Sequence, residues 1–526
     1  MADQRQEILE RGSYFPGDWM RPRFNPGTWM AMVDVTEIFP GHRAATRDGR
    51  YVLFDGPIGV KLRVEEAQKS APFLAPETEW EAEGHLSPSY VWNEDGRLHM
   101  LYEGEGSDTS CYAVSEDGYH WDRPALGLTE FNGSTENNIL NIHVPASIFE
   151  DPSAPPAERY KAMGGRGVWV DRETGEEVDA AAADPCWRAE QYEGRAYAGR
   201  KVVLKGVLEG YTSPDRLCWT KIAEPLANYS VNGSLSPGYD EDNKTYFAFM
   251  QPQGVAPSEP GLGAGVPETE VVRRAIGLAR TKDFRHWPAP KLLIHPDAQD
   301  PLDISFYGPS YSVYPGRRDL HVMILTVFHQ VTSHTDLQIA FSRDGQVWTR
   351  PERRAVAKVG PRGSGEDCGL YAWRHGLVEL PDGCWAVHYQ GFSMLHTSGP
   401  AIFPKAKPIQ NHWACWRPHR LCGVEAESEG RFTVPTVFRR EDELHLNYRC
   451  APGGWISVEL LQLVPSKNCP DVDPLEGFTF ATCDRLTGDE EDQVVTWRGS
   501  SDISSAGEMV AIRIKMFQAK LFAYRM

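Results

Sequence analysis

The chain has 526 residues, 41% hydrophobic and 24% charged, which is the balance of a globular protein too long for a single ordinary core. Its 54 Lys and Arg against 73 Asp and Glu give a net charge of −19, which argues against nucleic acid or an anionic membrane as the main partner. No apolar run approaches the ~20 residues that cross a bilayer. The first residues, MADQRQEILERGSYF, hold no apolar stretch like a secretory signal. Ten scattered cysteines without a CxxC pair read as free core thiols. Together these features point to the cytoplasm.

Taken in chain order, residues 1–84 form an N-terminal segment. Within it MVDVTEIF (32–39) or YVLFDG (51–56) is expected to complete the last unit of a closed ring. From residue 85 a pattern repeats. Hairpins are predicted at 87–104, 146–165, 236–251 and 308–327, where turn residues separate β-branched and aromatic runs. Each is followed by an apolar strand and then by a short box. The boxes are SEDGYHW (115–121), SPDRLCW (213–219), TKDFRHW (281–287) and SRDGQVW (342–348). Ser or Thr, then Asp, makes a tight turn, and the Trp six places on packs between sheets. A fifth hairpin, 375–391, has no box and is followed by HWACWRP (412–418). Repeats of this period indicate a propeller or array. Beyond 425, evenly spaced strands without boxes (431–438, 443–450, 455–463, 492–499, 509–517, 519–526) read as a β-sandwich. The fold class is therefore all-β: a five-bladed β-propeller over 85–424, then a β-sandwich over 425–526.

In a propeller, residues before the first strand of each blade share one face with the loops between strands two and three. That face is the expected ligand pocket. Glu83, Asp303 and Glu366 precede the first strands of blades one, four and five and are the candidate catalytic carboxyls. Glu81, Asn137, Asn138 and Asp300 occupy similar positions. Candidate binding residues on the same rim are His85, Glu103, His143, Asn232, Tyr307, His329, His334, Asp367, Arg374 and His396. Tyr90, Trp92, Tyr307, Tyr311 and Trp373 are either sugar-stacking platforms or blade core. Paired carboxyls suit acetal hydrolysis, one protonating the leaving oxygen and the other attacking or activating water. His329, His334 and His396 with Glu103 or Glu105 offer a second reading, a divalent metal or an acid–base pair at the pore, though no ligand motif accompanies them. Otherwise no cofactor is implied. GLGAG (261–265) has no following helix to make a phosphate cradle.

The box-bearing propeller with its C-terminal sandwich, ending in CDRLTGDEEDQVVTWRGSSDIS (483–504) and KLFAYRM, resembles the glycoside hydrolase superfamily of fructosidases and arabinanases. That resemblance implies a glycosidase acting on a small carbohydrate or glycoside. The family's W-[MIL]-N-D-P-[NA]-G nucleophile motif is absent. Its R-D-P motif has only FEDPS (149–153) as a counterpart, and Asp151 there reads as a turn residue. NGSLSP (232–237) lacks the acid expected at the third blade. A His-dependent or metal-dependent sugar lyase and a non-catalytic carbohydrate-binding propeller are the alternatives. The oligomeric state, including a homo-oligomer, stays open.

Overall fold

The computed structural model describes residues 27–45, 48–81, 85–104, 108–171, 174, 176, 202–253, 274–396, 408–464 and 469–526. Among them the fold is nearly all β, and the helices are 3-10 turns of three residues. The chain divides into two compact units, Glu66–Arg417 and a second that joins the segment ending at Glu65 to Pro418–Met526.

The unit Glu66–Arg417 is a succession of antiparallel meanders. The first is Leu86–Glu94, Arg97–Gly104 and Thr109–Ser115. The second is Ser147–Glu150, Tyr160–Asp171, Val202–Ser213 and Thr220–Lys221. Ser230–Asp240, Thr245–Gln253, Ile276–Thr281 and Lys291–Ile294 form the third. Ile304–Tyr314, Arg317–His329, His334–Ser342 and Trp348–Thr349 form the fourth. The fifth is Gly369–Tyr371, Trp385–Phe392 and Gln410–Trp416, with Gln68–Lys69 as its outermost strand. A parallel pairing of Thr335 with Gly369 joins the fourth and fifth into one sheet.

Three of the four boxes close the third strand of their meander with the same pair of hydrogen bonds to the Asp carboxylate. Asp117 Oδ1 accepts the N–H groups of Tyr119 and His120 at 2.7 and 2.8 Å. Asp215 does so for Leu217 and Cys218, and Asp344 for Gln346 and Val347. In all four the Trp indole donates back to the residue after the Asp: Gly118, Arg216, Phe284 and Gly345. Gly118, Arg216 and Gly345 hold φ of +84°, +71° and +68° there. Phe284 does not need that conformation, because His286 N–H closes its turn onto the Asp283 carbonyl. Trp121, Trp219 and Trp287 are buried.

The first strands of the first four meanders are paired along one side only, apart from a single bridge of Tyr311 to His375. Pro88, Pro237 and Pro309 lie in three of them, in the sequences SPSY, SPGY and GPSY. A proline has no N–H to leave unpaired, so an edge strand tolerates it. The unpaired carbonyls along these edges are met by side chains from the preceding meander. Ser147 Oγ donates to Leu235 O at 2.6 Å, and Ser236 Oγ to Pro309 O at 2.8 Å. Ser310 Oγ donates to His375 O. Gln390 and Asn411 both donate to Leu86 O, at 3.1 and 2.9 Å, which links the fifth meander to the first.

The N-terminal segment departs from expectation. Neither 32–39 nor 51–56 completes the fifth meander. Val35–Glu37 is a 3-10 turn capped by Asp34, whose Oδ1 accepts Thr36 N–H at 2.9 Å. Tyr51–Phe54 pairs with His42–Ala45. Gln68–Lys69 takes the place instead, pairing with Ala414 and Cys415. It is held by Phe73 stacked on Trp413 at 4.6 Å and by Ser70 Oγ accepting Trp413 N–H.

In the second unit, seven strands join into one sheet in which Cys422–Phe438, His445–Val464 and Met509–Arg525 are the long members. Sequence spacing separated 443–450 from 455–463 and 509–517 from 519–526, but each pair is one continuous strand. Register shifts at Cys450/Trp455 and a positive φ of 45° at Gln518 bend the chain without ending it, as β-bulges do. The acidic stretch Asp489–Val494 is itself a strand on the edge of this sheet, where 492–499 was expected. The core behind the sheet holds Phe432, Val458, Leu460, Ile512 and Ile514, all essentially buried.

Replacing Trp219 with Ala removes a side chain 2% exposed and should cost about 3–5 kcal/mol in urea denaturation. Asp215→Ala, which leaves two turn N–H groups without their acceptor, should cost about 1–2 kcal/mol. Equal small losses for both would show that the indoles do not anchor the meanders.

Candidate functional site

In the fourth and fifth meanders, residues near the starts of the first strands and the ends of the second strands come together. There the fourth and fifth meanders build an aromatic wall in which Tyr307, Phe328 and Tyr371 are buried and Trp373 and Phe392 are partly exposed. His396 stands within it. Its Nε2 meets Tyr307 OH at 2.7 Å and its Nδ1 meets Tyr371 OH at 2.7 Å. Burial, then the nearby Arg274 charge, lowers the His396 pKa to about 4, so the ring is neutral at pH 7. A neutral ring donates through one nitrogen and accepts through the other, so one tyrosine donates to it and the other accepts. Burial pushes the Tyr307 hydroxyl up to about 12 and raises that of Tyr371. Trp373 stacks on Tyr371 at 5.0 Å, and its indole donates to Gln390 Oε1.

Ionisable groups flank this wall. Asp303 is partly buried just before the strand Ile304–Tyr314. Its backbone carbonyl accepts Gln330 N–H at 2.8 Å, and its carboxylate receives only a long bond of 3.4 Å from Val331 N–H. His329 and Asp336 form a pair at 2.9 Å, diagonal across the turn where His329 pairs with His334. The bond from Asp336 raises the His329 pKa against the opposing effect of burial, and Asp303 adds to the rise. Asp336 Oδ1 and Asp367 Oδ1 are buried without a protein partner. Such orphans are rare in folded proteins and mark places where water or ligand completes the shell.

Several sequence candidates prove to be committed elsewhere. Glu83, Glu105 and the GLGAG segment lie outside the described residues. Asn232 falls in the strand Ser230–Asp240. Glu103 is buried and ion-paired with Arg374, which adopts φ of 59° to reach it. Glu366 accepts from Lys69 Nζ at 2.6 Å and from Tyr389 OH at 2.7 Å, with His412 stacked on Tyr389. No bond or shared partner joins Glu366 to Asp303 among the described residues. His85 packs edge-on against Phe392, and His143 Nδ1 lies 3.3 Å from Ser110 Oγ. His329, His334 and His396 do not gather as metal ligands, and no group of three such residues occurs among the described residues.

The remaining polar candidates are framework. Glu81 is fully buried and accepts from Tyr102 OH, Arg123 and two backbone N–H groups. Asp300 is clasped by Arg350 and Arg353. Asn138 bridges Trp80, Tyr102 and Tyr112. Asp151 is the turn residue its sequence suggested, held by Ser153, Tyr246 and Lys161. Tyr90, Trp92 and Tyr311 belong to sheet cores, whereas Tyr307 and Trp373 are in the wall. Sequence reasoning missed Arg274, Lys69, Tyr371 and Tyr389. Tyr371 falls in the same pre-hairpin stretch as Glu366 and Arg374, the one signal available. Lys69 carried none, because its strand is two residues long.

Three histidines set a pH dependence, His388 buried, His375 partly buried and His396 exposed along one edge. His375, His388 and His396 have pKa values lowered to about 4, 3 and 4, each chiefly by burial. Unfolded, they titrate near 6.5, so the unfolded chain binds more protons as pH falls. Their contribution to stability is complete above pH 6.5 and is lost progressively toward pH 4. Glu81 and Asp151 act at lower pH. Burial opposes their charge, but their hydrogen bonds outweigh it and hold both pKa values below normal. Their contribution is present above the usual carboxylate range and is lost as pH falls below it. NMR titration should find His396 neutral down to about pH 4 and His329 titrating above 6.5. A His396 midpoint near 6.5 would contradict its setting between the Tyr307 and Tyr371 hydroxyls.

No known protein family matches this chain. No curated protein matches it either. Solved structures with some likeness include the catalytic domain of a Coprinopsis cinerea GH62 alpha-L-arabinofuranosidase, at 11% identity, 67% of this chain, 97% of that one and a TM-score of 0.39. A thermostable family-43 glycoside hydrolase gives 12% identity, 62% of this chain, 89% of that one and 0.38. An endo-arabinase from Bacteroides thetaiotaomicron gives 10%, 66%, 97% and 0.35. At these values the activity of the chain has to be argued from its own residues.

Proposed function

We propose that this chain is a carbohydrate-active enzyme that cleaves a glycosidic bond at the aromatic wall of the Glu66–Arg417 unit. In this reading the five meanders are the blades of a five-bladed propeller, closed between Leu86 and the fifth meander, and the long strands of the second unit wrap their core as a sandwich. The observation that carries the function is Asp303. It is a partly buried carboxylate with no cationic partner among the described residues, next to a wall of aromatic rings. Aromatic faces hold sugar rings, and a carboxyl at their edge suits proton transfer to a glycosidic oxygen. Asp303 is assigned to the leaving oxygen. Glu366, ion-paired with Lys69, is taken as the second carboxylate. The eight described cysteines are free thiols, which supports a cytoplasmic location.

A second reading rests on the His329–Asp336 pair, whose geometry suits an acid–base step in a sugar lyase. A panel of aryl glycosides and oligosaccharides, with and without EDTA, separates the two. Asp303→Asn and Glu366→Gln should each lower turnover at least about a hundredfold while His329→Gln lowers it far less. Loss in His329→Gln with near-normal rates in both amide variants would favour the lyase. Binding without any turnover would leave a carbohydrate-binding protein.

A further inference from the structure

Arg274 stands beside this wall with no acid to meet it among the described residues. Its backbone is fixed along the first strand of the fourth meander. The Arg274 N–H donates to Ser305 Oγ at 3.3 Å, and its carbonyl accepts Phe306 N–H at 2.9 Å. Its guanidinium lies 4.3 Å from the centre of the Tyr307 ring. The side chain is partly buried, yet among the described residues no carboxylate forms an ion pair with it. Other cations in these meanders are taken: Arg374 by Glu103, Arg166 and Lys221 by Glu209, and Lys69 by Glu366. Asp303, two residues before Ser305, does not pair with Arg274 either.

Stacking on Tyr307 covers one face of the guanidinium and fixes its plane. The N–H fork at its edge stays available, and that fork matches the two oxygens of a carboxylate. A partly buried charge without a counter-ion is costly, and an anionic ligand would supply the missing charge. A single guanidinium suits a monoanion better than a doubly charged phosphate.

We propose that Arg274 reads a carboxylate on the substrate, so that the sugar bound at this wall is a uronic acid. This deepens the reading of the wall as a sugar site and rests on it. Ser305 positions the arginine backbone, and Gln330 Nε2, which donates to Ser305 Oγ at 2.9 Å, holds that serine in place.

The test is calorimetric binding of glucuronate, galacturonate, glucose, galactose and galactose 6-phosphate to the whole protein and to Arg274→Met, Arg274→Lys and Asp303→Asn. One uronate should bind the unaltered protein and Asp303→Asn. It should bind Arg274→Met about 10- to 100-fold more weakly, the usual worth of a charge-assisted bidentate pair. Arg274→Lys should recover only part of the loss, because it restores charge without the fork. Thermal unfolding of each variant checks that it is folded. Absence of uronate binding, equal binding by Arg274→Met, or tighter binding of the phosphate than of either uronate overturns the proposal. Arg274-dependent uronate binding without cleavage of any glycoside would sink the glycosidase reading alone. Cleavage of neutral glycosides at the same rate by the unaltered protein and Arg274→Met would sink the uronate reading alone.

Discussion

The Glu66–Arg417 unit depends on how it satisfies the open edges of its first strands. A sheet edge presents carbonyls and N–H groups that must find partners when buried. Here prolines at 88, 237 and 309 remove some of the donors, and side chains supply the rest. The bonds from Ser147, Ser236, Ser310, Gln390 and Asn411 each run from one meander to a carbonyl of another. Ser236 also reaches Arg374 O, so the third meander touches the fifth directly. Each bond contributes roughly 1 kcal/mol, but an unmet buried carbonyl would cost more, so the set works as a specification of which edge faces which.

That specification places the chemistry. Once the edges of the fourth and fifth meanders are matched, the residues at the strand starts have no freedom to choose neighbours. Tyr307 and Tyr371 come from different meanders and meet on either side of His396. Glu103 at the end of the first meander's second strand reaches Arg374 in the fifth. The two-residue strand Gln68–Lys69 matters for the same reason. It lies far from Glu366 in sequence, yet it puts an ammonium 2.6 Å from that carboxylate while closing the outer edge of its sheet. A short edge strand thus carries both a structural and an electrostatic task.

The unit containing Pro418–Met526 solves the edge problem differently. Its strands are long, bulged and shared across one sheet, so few edges are left open. Bulges at Ala426/Glu429 and Val434/Val437 let a 17-residue strand curve around the core instead of stopping. The acids at Asp489 and Asp492 that mark its outer strand are bound by Arg420, and by His445 and Arg525. They act as edge charges, which discourage pairing with another chain.

Elements with a local cause were legible in the sequence. The boxes were, because Ser, Asp and Trp at fixed offsets make their own turn within seven residues. The hairpins were, because Asn-Glu-Asp-Gly and Pro-Gly turns sit between alternating apolar runs. The all-β character and the turn role of Asp151 follow from the same local rules. What the tertiary structure alone decided was everything that depends on residues distant in the chain. No pattern could show that Lys69 meets Glu366, that Arg374 meets Glu103, or that Arg274 lies over Tyr307. Nor could turn residues such as Ala451–Gly454 reveal that they bend a strand instead of ending it. Local sequence fixes backbone geometry through sterics and short hydrogen bonds, whereas the partner of a buried charge is set by strand register and edge matching, which the whole fold determines at once.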